Sequence, residues 1–216
     1  MAKKSGAVSS LDLARCAFFC VLIIVGAFVK VPIPVLPFTL AFLMTSLAGL
    51  LLGSKWGAAS AALYVALGLF GLPVFVGGGG LGYVMQPTFG YLIGYIAATW
   101  LTGVIAPPVR KTTYRRRLIA CFSGLVVLYA IGMAYLYLLS NYVLGAPIAF
   151  DALVLYCFVL SAPGDIVLCF AAASLAKRLL PIANRTNMSR KKAIASSEAT
   201  SAPAGRVRGL TKEELR

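Results

Sequence analysis

The side chains that could carry chemistry in this sequence are few, and their types favour binding over catalysis. Histidine is absent from the 216 residues, and only six acidic residues accompany twenty basic ones. The chain therefore lacks the commonest acid–base side chain and metal ligand. No Ser-His, Cys-His, paired-carboxylate or metal-ligating spacing occurs either. We therefore predict that the protein is not an enzyme and needs no metal or other cofactor.

A small set of polar residues instead interrupts the apolar stretches at one set of predicted helix ends. Its members are Thr39, Tyr83, Gln86, Thr88, Tyr91, Asn141 and Asp165. Sparse polar groups framed by aromatic side chains are suited to a small amphipathic ligand, so the pattern predicts a binding site. Asp165 follows Pro163 and Gly164, which stop a helix, and it is equally placed to be the N-cap of the next one.

The elements that must position these residues are apolar helices. Of all residues 60% are hydrophobic and 12% are charged, against about a quarter charged in a soluble domain, so lipid must solvate part of the chain. Hydropathy predicts spans near Leu11–Val29, Phe38–Gly53, Trp56–Gly71, Met85–Ile105 and Leu118–Leu139, then a short helix near Phe150–Leu160 and a last span over Asp165–Leu180. The predicted fold class is an all-α membrane protein with a bundle of six transmembrane helices.

Basic residues separate sharply between the two sides of this bundle. With six spans and a cytoplasmic N-terminus, every one of the twenty basic residues except Lys30 falls inside. Positive charge collects on the cytoplasmic side of membrane proteins, so we predict a cell-membrane protein with both termini cytoplasmic. Residues 1–183 would form the membrane domain and residues 184–216 a basic, disordered tail. Because the tail adjoins a membrane exit, we assign its charge to topology and expect no nucleic-acid partner.

Small residues and glycines mark helix contacts and loops. Pairs at four-residue spacing, which let helices approach closely in lipid, are Ala58, Ala62 and Ala66, then Gly90, Gly94 and Ala98, and Cys16 with Cys20. Internal packing explains all three, although a partner subunit could use one of them. The remaining cysteines also lie in apolar stretches, where a free cysteine behaves as a small hydrophobe. The loop 72–83 contains Gly77–Gly80 and is predicted to be a flexible lid on the outer side.

Six segments in this order resemble the BioY family, the biotin-binding substrate component of energy-coupling-factor vitamin transporters. They are Pro37–Leu40, Leu47–Gly53, Leu63–Phe75, Gly77–Gly80, Gln86–Gly94 and Pro163–Asp165. The resemblance extends over roughly Leu11 to Leu180. It implies that the chain captures biotin from the outer side and docks on a coupling membrane protein that carries two ATPases. Some members are thought to work without those partners, and a component for another small vitamin or precursor is the alternative.

The resemblance also assigns roles to residues of the predicted site. It implies that Gln86, Thr88 and Asp165 satisfy the ureido ring of biotin. Tyr83, Phe75 and Phe89 would line its apolar body. The remaining substrate-binding candidates are Thr39, at the end of the first outer loop, and Gly78 and Gly79, in the glycine loop that covers the pocket.

The chain departs from the family pattern in three respects. Leu168 stands where a lysine is common, and Ala41 stands where glutamine is frequent. Cys16 and Cys20 are the nearest equivalent of the A-x-x-x-A face that contacts the coupling subunit. Because a buried carboxylate needs a partner, we predict that Lys30 replaces the missing lysine. Two alternatives stay open: Lys30 only anchors the first helix, or backbone amides of Gly77–Gly80 receive the carboxylate.

Overall fold

The fold is described from a computed structural model that covers residues 10–31, 38–108, 112–143, 145, 149, 154 and 161–201. Of residues 30, 31, 38 and 182–201 the backbone alone is described. The chain divides into two units, Met1–Leu180 and Pro181–Arg216. The predicted short helix at Phe150–Leu160 and the loop positions 32–37 lie outside the described residues.

The described part is almost entirely helical. Its helices are α1 (Ser10–Phe28), α2 (Ala41–Leu69), a 3₁₀ helix (Leu81–Met85), α3 (Phe89–Ile105), α4 (Tyr114–Leu138), a π-helical turn (Leu139–Val143) and α5 (Ala162–Ser201). Between α1 and α2, strands β1 (Lys30–Val31) and β2 (Phe38–Thr39) form a two-residue antiparallel ladder that pairs Lys30 with Thr39. The all-helical class predicted from the sequence is therefore correct apart from this ladder.

Gly53 divides α2 into two helical segments, as the sequence predicted for its second and third spans. Its backbone has φ 83° and ψ −177°, a conformation almost restricted to glycine because other residues carry a Cβ atom. The chain turns back there, since a Cβ atom on Gly57 would lie 2.9 Å from the carbonyl oxygen of Ala48. Residues 41–52 and 54–69 thus run side by side, which brings Ala41 and Tyr64 to the same end of the bundle.

Helices α3 and α4 approach each other through glycines. A Cβ atom on Gly90 would lie 2.3 Å from Cβ of Tyr135, and one on Gly94 would lie 2.9 Å from Leu128. In return, Gly132 makes room for the ring of Tyr91. The small-residue stripe of α3 therefore serves packing within the bundle, where close contact replaces the hydrophobic effect that lipid does not supply.

Two unbroken helical stretches of the described chain, Ser10–Phe28 and Tyr114–Val143, are long and apolar enough to cross a membrane. Ala41–Leu69 reaches that length only when the two segments separated by Gly53 are counted together. The apolar α3 is shorter, with 17 residues. These helices carry exposed large hydrophobic side chains, among them Phe18, Trp100 and Val126, which is the surface expected where lipid is the solvent.

The last helix begins and ends outside its predicted bounds. It starts at Ala162 rather than Asp165, because a proline such as Pro163 fits the first turn of a helix, where its missing N–H has no intrahelical partner. It continues to Ser201, so the backbone of residues 184–201 is helical, whereas the sequence analysis expected a disordered tail there. Alanine, lysine and arginine, which made that segment resemble a disordered tail, are also strong helix formers.

Candidate functional site

A cavity of about 250 Å³ lies among the start of α3, the 3₁₀ helix, the ladder and the nearby ends of α1 and α2. We call this end of the bundle the pocket end. The lining residues are Ala27, Thr39, Ala41, Tyr64, Val76, Gly77, Tyr83, Gln86, Thr88, Tyr91, Leu92 and Tyr95. Ligand pockets usually measure about 300–1,000 Å³. This cavity is slightly smaller than that range and therefore suits a small ligand. Its walls are largely apolar, with hydroxyl groups and one amide as polar side chains.

Five residues of the predicted polar set meet at this cavity: Thr39, Tyr83, Gln86, Thr88 and Tyr91. The hydroxyl groups of Tyr83 and Thr88 lie 3.3 Å apart. Thr88 is the N-cap residue of α3, but its side chain makes no capping hydrogen bond, so its hydroxyl is directed to other partners. The positive end of the α3 dipole therefore adjoins the cavity and favours an oxygen acceptor there.

Phe75 and Phe89 are buried near the cavity without lining it. The Phe75 ring packs edge-on against Tyr64 and tilted against Tyr83, with ring centroids 5.4 Å and 4.6 Å apart. Phe89 pairs with Tyr135 at 5.8 Å. The sequence predicted that both phenylalanines would touch the ligand. The structure instead places Phe75 against the rings of Tyr64 and Tyr83, and Phe89 at the start of α3 against Tyr135.

Backbone hydrogen bonds hold the glycine loop, both within the loop and to the end of α2. Phe75 and Gly78 exchange two of them, at 2.9 Å and 3.1 Å, and the Gly80 N–H donates to the Gly68 carbonyl at 2.7 Å. Gly78 and Gly79 do not line the cavity, whereas Gly77 does. Two of the four amides proposed to form a carboxylate nest, those of Gly78 and Gly80, thus already have partners.

Asp165 lies one layer away from the cavity. Its side chain is buried, and its Oδ2 atom accepts a 2.5 Å hydrogen bond from the Tyr129 hydroxyl. Tyr129 in turn packs edge-on against Tyr91, which lines the cavity. The sequence placed Asp165 in contact with the ligand or at the N-cap of the last helix. In the structure it occupies the first turn of α5 and supports the cavity wall through Tyr129.

The remaining predicted residues are placed as follows. Lys30 pairs with Thr39 through the backbone of the ladder, and its side chain is outside the described part. Cys16 and Cys20 are buried, and the Ser60 hydroxyl lies 3.5 Å from the Cys16 sulfur. These two cysteines of α1 therefore face α2, as internal packing predicts, rather than an open docking surface. Leu168 belongs to the apolar core.

Sequence reasoning missed several lining residues. Tyr64 and Tyr95 lie in apolar helices and were given no role in the site, and Ala41 was noted only for the absence of a glutamine. Tyr95 lines the cavity and contacts Thr39 through its hydroxyl group. Tyr91 was already in the predicted polar set, and Tyr95 lies about one helical turn after it, which is the signal that could have identified Tyr95.

Comparisons with known proteins agree with this geometry. Residues 1–185 match the family model described as the BioY family. A protein of Lysinibacillus sphaericus named "Probable biotin transporter BioY" is 42% identical over 174 residues, which cover 81% of this chain and 89% of that relative. The biotin transporter BioY of Thermotoga maritima is 37% identical over 123 residues, covering 56% of this chain and 72% of the relative.

A solved structure has the same fold. It is the crystal structure of the S-component for biotin from an ECF-type ABC transporter, with a TM-score of 0.67 and 27% sequence identity. The match covers 80% of this chain and 94% of the other. Since the relatives are transporters and the family match spans most of the sequence, the prediction that the protein is no enzyme is confirmed. This chain is a membrane protein that belongs to the BioY family.

Proposed function

We propose that this chain is the membrane-embedded, substrate-binding component that captures biotin for uptake. One observation carries the proposal: a small cavity with apolar walls whose polar side chains are hydroxyls and one amide, in a chain whose relatives are biotin transporters. Biotin combines a cyclic urea, which both donates and accepts hydrogen bonds, with an apolar thioether ring and chain. Uncharged donors and acceptors in an apolar cavity complement this combination.

The wall residues divide the recognition between them. Gln86 and Thr88 are proposed to pair with the urea, and the positive end of α3 favours its carbonyl oxygen. Tyr64, Leu92 and Tyr83 supply apolar surface. A site that hydrogen-bonds its substrate rejects an analogue without those groups strongly, because the buried polar groups of the site are then left unpaired.

The surroundings of the site form part of the same proposal. Six spans with both termini cytoplasmic follow from the charge distribution, and the cavity then opens on the outer side of the cell membrane. A coupling membrane protein with two ATPases would energise transport, and residues 184–216 would form a basic cytoplasmic segment beyond the binding domain. Uptake of biotin by cells that lack every coupling protein would indicate a solitary transporter instead.

Binding of radiolabelled biotin to the purified full-length chain tests the function. Thr88→Val removes a cavity hydroxyl at nearly constant shape, and we expect about tenfold weaker binding, as for a lost buried hydrogen bond. Thr88→Ser keeps the hydroxyl and is the matched control, with near-parental affinity expected. If the folded chain does not bind biotin saturably but binds another vitamin, that vitamin and not biotin is the substrate.

A further inference from the structure

The first turn of α4 concentrates positive charge at the opposite end of the bundle, which we call the basic end. Arg115, Arg116 and Arg117 follow one another there, no acidic residue shares the turn, and the N-cap residue Thr113 makes no capping hydrogen bond. A helix N-terminus already carries about half a positive charge from its free N–H groups. Three arginines at this position therefore repel the helix dipole unless an anion joins them.

Arg116 has a partner that accounts for its position. Its Nε donates a 2.5 Å hydrogen bond to the carbonyl oxygen of Ile105, the last residue of α3. The negative end of the α3 dipole receives this cation favourably. The bond also places the start of α4 beside the end of α3.

Arg117 has no such partner. The residue is only 5% exposed, and its buried Nε makes no hydrogen bond to any described residue. Helical side chains lean toward the N-terminus of their helix, so we expect the Arg117 side chain to extend over the first turn and its free N–H groups. A buried guanidinium donor without a hydrogen bond is costly, and an anion bound at the same place would offset that cost.

We propose that the first turn of α4 binds a phosphate group, supplied by the headgroup of an anionic phospholipid. Guanidinium groups and free helical N–H groups are the two donor types that recognise phosphate in proteins. The turn opens a helix of membrane-spanning length, which places it at the depth where headgroup phosphates lie. Basic sites between helices at this level are typical of anionic lipid recognition.

The test uses the full-length chain in nanodiscs of phosphatidylcholine, with or without phosphatidylglycerol, and measures the midpoint of thermal unfolding. The parent should gain stability as phosphatidylglycerol is added, in a saturable manner. Arg117→Gln should bind phosphatidylglycerol about tenfold more weakly. It should be at least as stable as the parent in phosphatidylcholine alone, because the buried Nε donor that lacks a hydrogen bond is removed. Lys55→Gln is the matched control, because Lys55 is exposed and its substitution also removes one positive charge from the basic end.

Each outcome decides the proposal. Equal destabilisation of Arg117→Gln in both lipids would assign Arg117 a structural role. If Lys55→Gln weakened phosphatidylglycerol binding as much as Arg117→Gln does, the effect would come from diffuse surface charge and not from a site. Stabilisation of the parent by inorganic phosphate in phosphatidylcholine would keep the site and identify its ligand as a free phosphate. Native mass spectrometry of the parent does not depend on the variants folding. Failure to retain phosphatidylglycerol in preference to phosphatidylcholine would overturn the proposal.

Discussion

The hydroxyl of Tyr129 donates a 2.5 Å hydrogen bond to Oδ2 of Asp165, and both side chains are buried. This bond joins α4 to the first turn of α5. The ring of Tyr129 also packs against Tyr91, with centroids 6.2 Å apart. Because Tyr91 lines the cavity, this one aromatic contact connects the Tyr129–Asp165 hydrogen bond to the cavity wall. Asp165 thereby influences the ligand site without lining it.

The Tyr129–Asp165 bond gives the first prediction. Tyr129→Phe should lower the free energy of unfolding by about 1.5–3 kcal/mol, because a buried carboxyl group loses a hydrogen bond. Asp165→Asn keeps an acceptor for the tyrosine and should lose less than Asp165→Ala. Unfolding in detergent and biotin binding are measured together. Loss of biotin binding in Asp165→Asn without loss of stability would show that Asp165 contacts the ligand directly.

A second prediction concerns the support of the cavity by Phe75. A Cβ atom on Gly68 would lie 2.0 Å from the Phe75 ring, so Gly68→Ala must displace the ring that backs Tyr64 and Tyr83. We expect a loss of about 1–3 kcal/mol in stability, as for overpacked cores, together with weaker biotin binding. Gly82→Ala is the control, because its Cβ atom would meet nothing within 4 Å. Similar behaviour of the two variants would refute the supporting role of Phe75.

The carboxylate of biotin provides a third prediction, through Lys30. If Lys30 holds this group, the parent should bind biotin more tightly than its methyl ester, and Lys30→Gln should lose most of that preference. A charge-assisted hydrogen bond corresponds to about a tenfold difference in affinity. Binding of both compounds to both proteins is the measurement. An undiminished preference in the variant would eliminate Lys30 and favour the remaining amides of the glycine loop.

The six-span topology makes a fourth prediction, tested by labelling single cysteines in intact cells. On a background without the five native cysteines, a cysteine at position 82 should react with a membrane-impermeant reagent, and one at position 200 should not. Position 82 suits the experiment because its side chain would be in open space, whereas a Cβ atom on Gly79 would lie 2.1 Å from the Leu72 carbonyl oxygen. Reaction at position 200 from outside would contradict cytoplasmic termini.

The sequence predicted those features that depend on local chemistry. Hydropathy ended the second predicted span at Gly53, where the structure has a backbone conformation that favours glycine. Helix α1 matches its predicted span to within one residue at each end. The turn containing Gln86 and Thr88 was found because polar side chains are rare in this chain. These signals are properties of single positions or short segments.

Features that depend on contacts across the bundle were not predictable in the same way. Phe75 and Tyr64 are both aromatic residues near a loop, and only the space beside Gly68 decides that Phe75 lies behind Tyr64. Asp165 was assigned to the ligand because its partner Tyr129 lies 36 positions away in sequence. No local pattern indicates such a pairing, so lone polar groups were assigned to the ligand by default.

The glycine contacts between α3 and α4 have a kinetic consequence for ligand exchange. Tyr91 and Tyr95 line the cavity from α3, and α3 is in close contact with α4 at Gly90 and Gly94. Two helices this close cannot separate without losing dispersion contacts along their length. The opposite wall depends on the two-residue ladder and a few hydrogen bonds of the glycine loop. We therefore expect the α3 wall to stay fixed during ligand exchange and the side formed by the ladder and the glycine loop to move first.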